Sequence, residues 1–280
     1  MNRLIGRRVR LVACLMVVMA VGLAFTLSGC SSSSSAVDTI KDRGYITVGC
    51  KTDAPYMCHY DKSTDTWSGE EVNLAYEVAG KIWDVSAKKA QSEDLVKFVD
   101  CDADNREDNL ENNKVDLLIA TYTITDKRAK KFALSDAYYT DYIGLMVRSD
   151  DEAAINNTAS KDTNSNDNHI LSLGGKSVGV ATNTTTEPDI DSYLEKSDKD
   201  SKSPNYTQYK TYKAIFEGLK GGEVEYMAAD VSILKGYETD GYTILNDRIE
   251  GQDYGAAATK ENADLIKVVN KAIAATKESH

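Results

Sequence analysis

Three prolines and three histidines in the whole chain close off several possibilities at once. With so few prolines, strand-like and helix-like runs alternate without interruption, which argues for an α/β protein. The histidines are scattered, and no Cys/His cluster has metal-ligand spacing, so neither a metal site nor a cofactor is expected. Basic charge is also short. Thirty-three Lys and Arg face 44 Asp and Glu, and four of the arginines sit in the first ten residues. Without those four, 29 basic residues remain against 44 acidic ones, a formal charge of −15. Such a chain is a poor candidate for nucleic acid, and an acidic ligand would need a locally basic pocket. Apolar runs are limited to Leu11–Leu27, which is short for a membrane span.

That run has a second meaning. Arg3, Arg7, Arg8 and Arg10 precede it and Leu27-Ser28-Gly29-Cys30 follows it, the layout of a secretory signal. The Leu-Ser-Gly-Cys ending resembles the lipobox of bacterial lipoproteins, which implies cleavage before Cys30 and a lipid on that cysteine. Residues 1–29 are then a signal peptide and residues 30–36 a Ser-rich tether. The mature protein is expected on the extracellular face of the cytoplasmic membrane, or on the periplasmic side where an outer membrane exists. Cys50, Cys58 and Cys101 remain, an odd number for an oxidising compartment. One disulfide among them is expected, with its pairing open.

Along the mature chain, Tyr45–Cys50 reads as a strand and Ser68-Gly-Glu-Glu71 as a capping box opening a helix with apolar spacing through Trp83. Strands are expected at Leu95–Cys101 and Val115–Ala120, with a short helix from Asn105 to Asn113 between them. After a polar break at 149–168 the pattern repeats. Strands are expected at 177–181, 206–209, 223–229, 242–245 and 254–259, and helices at 184–194, 212–220, 230–237 and 262–277. Two βαβ units separated by a composition break suggest two lobes with a cleft between them.

The segment VDLLIATYTITDKRAKKFALSDAYY (115–139) is the most informative. A buried strand runs into a Thr-rich turn, and a helix carrying Arg128 follows. Guanidinium forks bind carboxylates in a planar, bidentate way, so capture of a small carboxylate is one reading. A solvated basic helix face of Lys127, Arg128, Lys130 and Lys131 is the other.

Together with ITVGCKTDAPY (46–56), SGEEVNLA (68–75), GGKSVGVATNTTT (174–186), MAADVSILKGY (227–237) and DYGAAATK (253–260), this block resembles a known family. The family is the extracellular solute-binding proteins of amino-acid ABC importers, and within it the aspartate/glutamate binders are most similar. The resemblance implies a two-lobed type II periplasmic-binding-protein fold, each lobe a mostly parallel sheet flanked by helices, with ligand in the cleft. Residues 37–139 plus 254–280 would form lobe one and 140–253 lobe two.

The same resemblance assigns roles. Arg128 clamps the ligand α-carboxylate, with Thr121 and Thr123 in the preceding turn. Thr184 or Thr185 adds donors at a helix N-terminus. Asp230 pairs with the α-ammonium, and Tyr254 lies at an inter-lobe crossing within reach of the ligand. Lys51 and Arg106 would hold a side-chain carboxylate, since two cations beside each other repel unless a second anion joins them. Read locally, Thr184 and Asp230 also fit plain helix caps, and Arg106 could pair with Glu107, Asp102 or Asp104. Glu70 stands where the family usually has Phe, Asn183 where it has Gly, and a further helix beyond His280 is usual.

The implied protein is a monomeric, lipid-anchored binder that hands glutamate or aspartate to a membrane permease by hinge closure. Rival readings are a glutamine or other polar amino-acid binder, a prephenate-type dehydratase on the same fold, and a surface adhesion protein. No nucleophile–base pair occupies the matched positions, so an enzyme is not expected.

Overall fold

The computed structural model describes residues 35–151, 169–197 and 202–278. The expected signal peptide, Cys30, the expected tether up to Ser34 and residues 152–168 of the polar break lie outside them.

The first half of the chain supplies strands β1 (Ile46–Cys50), β2 (Asp53–Ala54), β3 (Cys58–Asp61), β4 (Thr66–Ser68), β5 (Val96–Asp100), β6 (Leu117–Leu118) and β7 (Ala133–Leu134). The second supplies β8 (Tyr139–Arg148), β9 (Ser177–Ala181), β10 (Asn205–Tyr209), β11 (Tyr226–Asp230), β12 (Tyr242–Ile244), β13 (Ile249–Tyr254) and β14 (Ala257–Ala258). One sheet has the order β5-β1-β6-β14-β7, and another the order β10-β9-β11-β8-β12 with β13 also on β8. Each sheet is mixed. β1 runs parallel to β5 and β6, and β9 parallel to β10 and β11, whereas β14 and β8 pair antiparallel with their neighbours.

β1 reads as it does because Ile46, Val48 and Cys50, which share one face of the strand, are all buried, and Gly49 on the other face is buried as well. Gly49 between them has no room for a side chain, since a Cβ there would lie 2.7 Å from Cys101 Sγ. Helix Glu70–Trp83 covers this sheet with Val78, Ala79 and Ile82, and the last helix, Ala263–Glu278, returns to pack Leu265, Val269 and Ile273 on the same core. Each such aliphatic side chain contributes about 1.5–3 kcal/mol by leaving water.

The expected capping box does not form. Gly69 is the N-cap, at φ +119°, and a Cβ on it would come within 2.4 Å of the Met57 carbonyl oxygen. Glu71 turns inward instead of reaching back. Among the elements not foreseen are helices Ala36–Arg43 and Ala87–Ser92, the small antiparallel sheet β2-β3-β4, β7 and β13, and the strand expected at 254–259 is instead the end of β13 followed by the two-residue β14. A disulfide joins Cys50 to Cys58, which settles the open pairing, and Cys101 is a buried free thiol.

Two adjacent antiparallel segments run between the lobes. β8 starts at Tyr139 and pairs with the end of β13 through Tyr139–Tyr254 and Thr140–Asp253. Tyr254 in turn bridges to Thr123 of the first lobe. A second core holds residues from both lobes together, with Ala54 and Met57 meeting Tyr212, Ile233 and Leu234.

Candidate functional site

Strand ends from both sheets converge on the seam between the lobes. Lys51 follows β1, Arg106 opens the helix after β5, and Thr121 and Thr123 follow β6. From the other lobe come Asp230 at the end of β11 and Asn183, Thr184 and Thr185 beyond β9. Lys51 is wholly buried, and Arg106, Thr121, Thr123, Arg128, Asp230 and Tyr254 are buried with it. Arg128 is the one buried cation of helix Asp126–Lys131, where Lys127, Lys130 and Lys131 are exposed. Of the two readings of that helix, the inward-facing arginine is the observed one.

Arg106 and Arg128 share partners. Arg106 Nη1 donates to the carbonyls of Ala120 (2.8 Å) and Thr121 (3.2 Å), and Arg128 Nη1 to that of Thr123 (2.7 Å). The Nη2 atoms of both donate to one carbonyl from the opposite lobe, Asn183 O, each at 3.2 Å. Tyr122 lies under both guanidinia, 4.8 and 4.0 Å from its ring centre, a favourable cation–π arrangement. Burial and then the charge of Arg106 bring Arg128 down to about 10.

Lys51 Nζ donates to the hydroxyl of Tyr212 at 3.2 Å and lies 4.4 Å from that ring's centre. Burial, and then the neighbouring Arg106 charge, lower its pKa to about 7, against the pull of Asp53, Glu71 and Asp230. Asp230 is displaced the other way, to about 7, by burial and then by Asp141. The Tyr254 hydroxyl sits 2.6 Å from Asp230 Oδ2 and 3.1 Å from Asp141 Oδ2. Arg106 Nε, Thr121 Oγ1 and Asp230 Oδ1 are buried with no hydrogen-bond partner in the protein. Unmatched donors and an unmatched acceptor in one cluster suit a small ligand bearing both kinds of group.

Three expected contributors are engaged elsewhere. Thr184 Oγ1 donates to Ala181 O (2.8 Å), while the hydroxyls of Thr123 (3.0 Å) and Thr185 (2.7 Å) both donate to Gln252 Oε1. A cavity of about 520 Å³ opens along the seam, lined by Arg128, Thr184 and Thr185 together with Asp104, Glu107 and Asn183. Among the described residues no group of three His, Cys, Asp or Glu is placed to hold a metal, and no helix is long and apolar enough to cross a membrane.

Four residues that were not expected in the site organise it. Glu71 Oε1 accepts from the Thr121 backbone N–H and from the Tyr138 hydroxyl, both at 2.5 Å. Thr121 lies at φ +42°, a strained conformation for a β-branched residue. Glu71 holds it there, which aims the Thr121 carbonyl at Arg106. Burial raises the pKa of Glu71 above the usual carboxylate value. Asp53 Oδ2 accepts from the Tyr212 backbone N–H at 2.7 Å, tying the first lobe to the first turn of helix Tyr212–Gly221. Asn183 and Gln252 complete the set. Asn183 alone had a readable signal, a residue tolerant of the positive φ (+56°) it adopts.

Similar proteins converge on one family. Residues 46–280 match the model of bacterial extracellular solute-binding proteins, family 3. The ABC transporter glutamine-binding protein GlnH of Bacillus subtilis is 27% identical over 251 residues, covering 88% of this chain and 82% of that protein. The glutamate-binding protein GluB of Corynebacterium efficiens is 24% identical over 281 residues, covering 94% and 85%. Among solved structures, holo ArgBP from T. maritima superposes with a TM-score of 0.69 at 26% identity, covering 86% of this chain and 93% of that one. A two-lobed fold, a match over most of the described chain and a buried polar cluster at the seam agree, and the chain belongs to the bacterial extracellular solute-binding proteins, family 3.

Proposed function

We propose that this protein captures an amino acid, with glutamate or aspartate favoured, and delivers it to an ABC permease by closing its two lobes around it. The observation that carries the acidic preference is the wholly buried Lys51 ammonium beside Arg106. A ligand side-chain carboxylate between them relieves their mutual repulsion and restores the charge on Lys51. In the same reading Arg128 holds the α-carboxylate, with Thr121 donating beside it, and Asp230 accepts from the α-ammonium. Thr123, Thr184, Thr185 and Tyr254 then shape the site more than they touch the ligand. Lobe one comprises 37–139 plus 254–280 and lobe two 140–253, so that closure bends the β8 and β13 crossings. Lipid on Cys30 holds the protein, as a monomer, at the outer face of the cytoplasmic membrane.

A second reading, glutamine, is favoured by the neighbouring Asp53 and Glu71 carboxylates, which already offset part of the Lys51 charge, and by the glutamine binders among the relatives. Isothermal titration of the protein with each of the twenty amino acids separates the two. Heat with L-glutamate or L-aspartate and little with the amides supports the acidic reading. Binding confined to glutamine replaces it, and no binding with any amino acid removes the transport reading altogether.

A further inference from the structure

Gln252 lies on a crossing strand, 1% exposed, and its single side chain reaches both lobes. Oε1 accepts from Thr123 Oγ1 (3.0 Å) on the first-lobe turn that also anchors Arg128, and from Thr185 Oγ1 (2.7 Å) on the second lobe. Nε2 donates to Asp189 Oδ2 (2.8 Å) in the first turn of helix Thr186–Ser197. A register shift in the β13–β8 ladder between Ile249 and Gln252, with Gly251 at φ +101°, aims the side chain this way.

We infer that Gln252 is an interlobe latch, a positioning residue that sets ligand affinity by stabilising the closed form without touching the ligand. An amide is what the position requires. Two hydroxyl donors need an acceptor with two lone pairs and the Asp189 carboxylate needs a donor, and a side-chain amide carries both on one planar group at any pH. The bonds to Thr185 and Asp189 hold the amide in place within lobe two, and the bond from Thr123 crosses the seam, so it exists only when the lobes are together and its free energy favours that state alone. Thr123 therefore serves closure and Thr185 orients the amide that meets it, which explains why their hydroxyls do not face the Lys51–Asp230 cluster. The inference rests on the closing mechanism proposed above and is independent of which amino acid is bound.

A charge exchange tests it. Gln252→Glu keeps the Oε1 acceptor but replaces the Nε2 donor with a second carboxylate oxygen facing Asp189, and Asp189→Asn supplies a donor to that carboxylate. Titration with L-glutamate and with L-glutamine, and small-angle scattering of the ligand-free protein, are the readouts. Gln252→Glu is expected to raise the Kd at least about tenfold and to enlarge the radius of gyration. Asp189→Asn alone should stay within about threefold of the parent, because its Oδ1 still accepts from Gln252. The double variant should recover both the Kd, to within about threefold, and the compact scattering curve. A Gln252→Glu protein that binds and scatters like the parent overturns the latch, as does a double variant no better than Gln252→Glu. Should Gln252→Glu fail to fold, Thr123→Val removes the crossing bond alone and is expected to weaken binding about threefold or more. Parent affinity in that variant counts against the latch. Arg128→Ala, which should abolish binding whatever Gln252 does, keeps a failed latch distinct from a failed ligand site.

Discussion

Lys51→Met should make the protein more stable while making it a worse binder of glutamate. In the folded chain Lys51 falls from 10.5 to about 7 because its charge is buried and faces Arg106. Between those two values the unfolded chain holds a proton that the folded chain has given up, so stability rises with pH across about 7 to 10.5. Below about 7 both states are protonated and the full cost of the buried charge is present. At pH 7 that cost is about 4 kcal/mol, and at pH 10 it is about 1 kcal/mol. Methionine has similar volume and no charge, so it removes the cost but also removes the donor to the Tyr212 hydroxyl, a loss of about 1 kcal/mol. The net expectation is a gain of about 3 kcal/mol at pH 7 that vanishes near pH 10. Urea titrations of parent and variant at pH 7, 8.5 and 10, read as midpoint at constant slope, measure it. Affinity for L-glutamate, by calorimetry at pH 7, should fall by at least about 30-fold, the scale of losing one partner of a desolvated charge pair. A variant that is less stable at pH 7, or whose advantage does not shrink towards pH 10, refutes the placement of a strained ammonium in this cluster.

Other expectations follow from the same geometry. Arg128→Ala should lower amino-acid affinity by at least about 100-fold, because the neighbouring Arg106 guanidinium is committed to the Ala120 and Thr121 carbonyls and does not replace it, and calorimetry with parent-like affinity would remove it from the site. Glu71→Ala leaves the Thr121 N–H and the Tyr138 hydroxyl without an acceptor and should cost about 2–4 kcal/mol of stability by urea titration. Glu71→Gln, which keeps an acceptor oxygen, should recover at least half of that loss. Reducing Cys50–Cys58, which are eight residues apart, should cost about 2.5 kcal/mol by the loop-entropy relation, seen as a lower melting temperature with reductant. An unchanged melting temperature would mean that the bridge does not constrain the unfolded chain.

Much of the frame could be read in the sequence because it depends on local pattern. Val178 to Ala181 form a short apolar run bounded by turn residues, and β9 occupies the same five residues as the expected strand. The seam cluster of Lys51, Arg106, Thr121, Arg128 and Asp230 was legible through motif order, since strand ends in such sheets share an edge. What escaped depends on contacts far apart in sequence. Glu71 has the spacing of a helix cap, but Thr121, fifty residues on, offers it a buried N–H that the cap position cannot match. Gln252 sits in no motif, and its partners lie up to 129 residues away. The β2-β3-β4 sheet consists of strands of two to four residues, too short for any period to declare itself. Helix Ala36–Arg43 did carry its signals, Ser35 before it and Gly44 after it, but lay beside a Ser-rich run read as tether.

The carbonyl of Asn183 takes a hydrogen bond from each of two guanidinia across the seam, and neither bond needs a solute. Together with its left-handed backbone, which turns that carbonyl towards the first lobe, this makes Asn183 a tie that any parting of the lobes must break. Under the closing mechanism proposed above, the association rate of a solute scales with the fraction of time the lobes stand apart. The same two bonds would delay escape once the lobes have met, so that capture and release are slowed together.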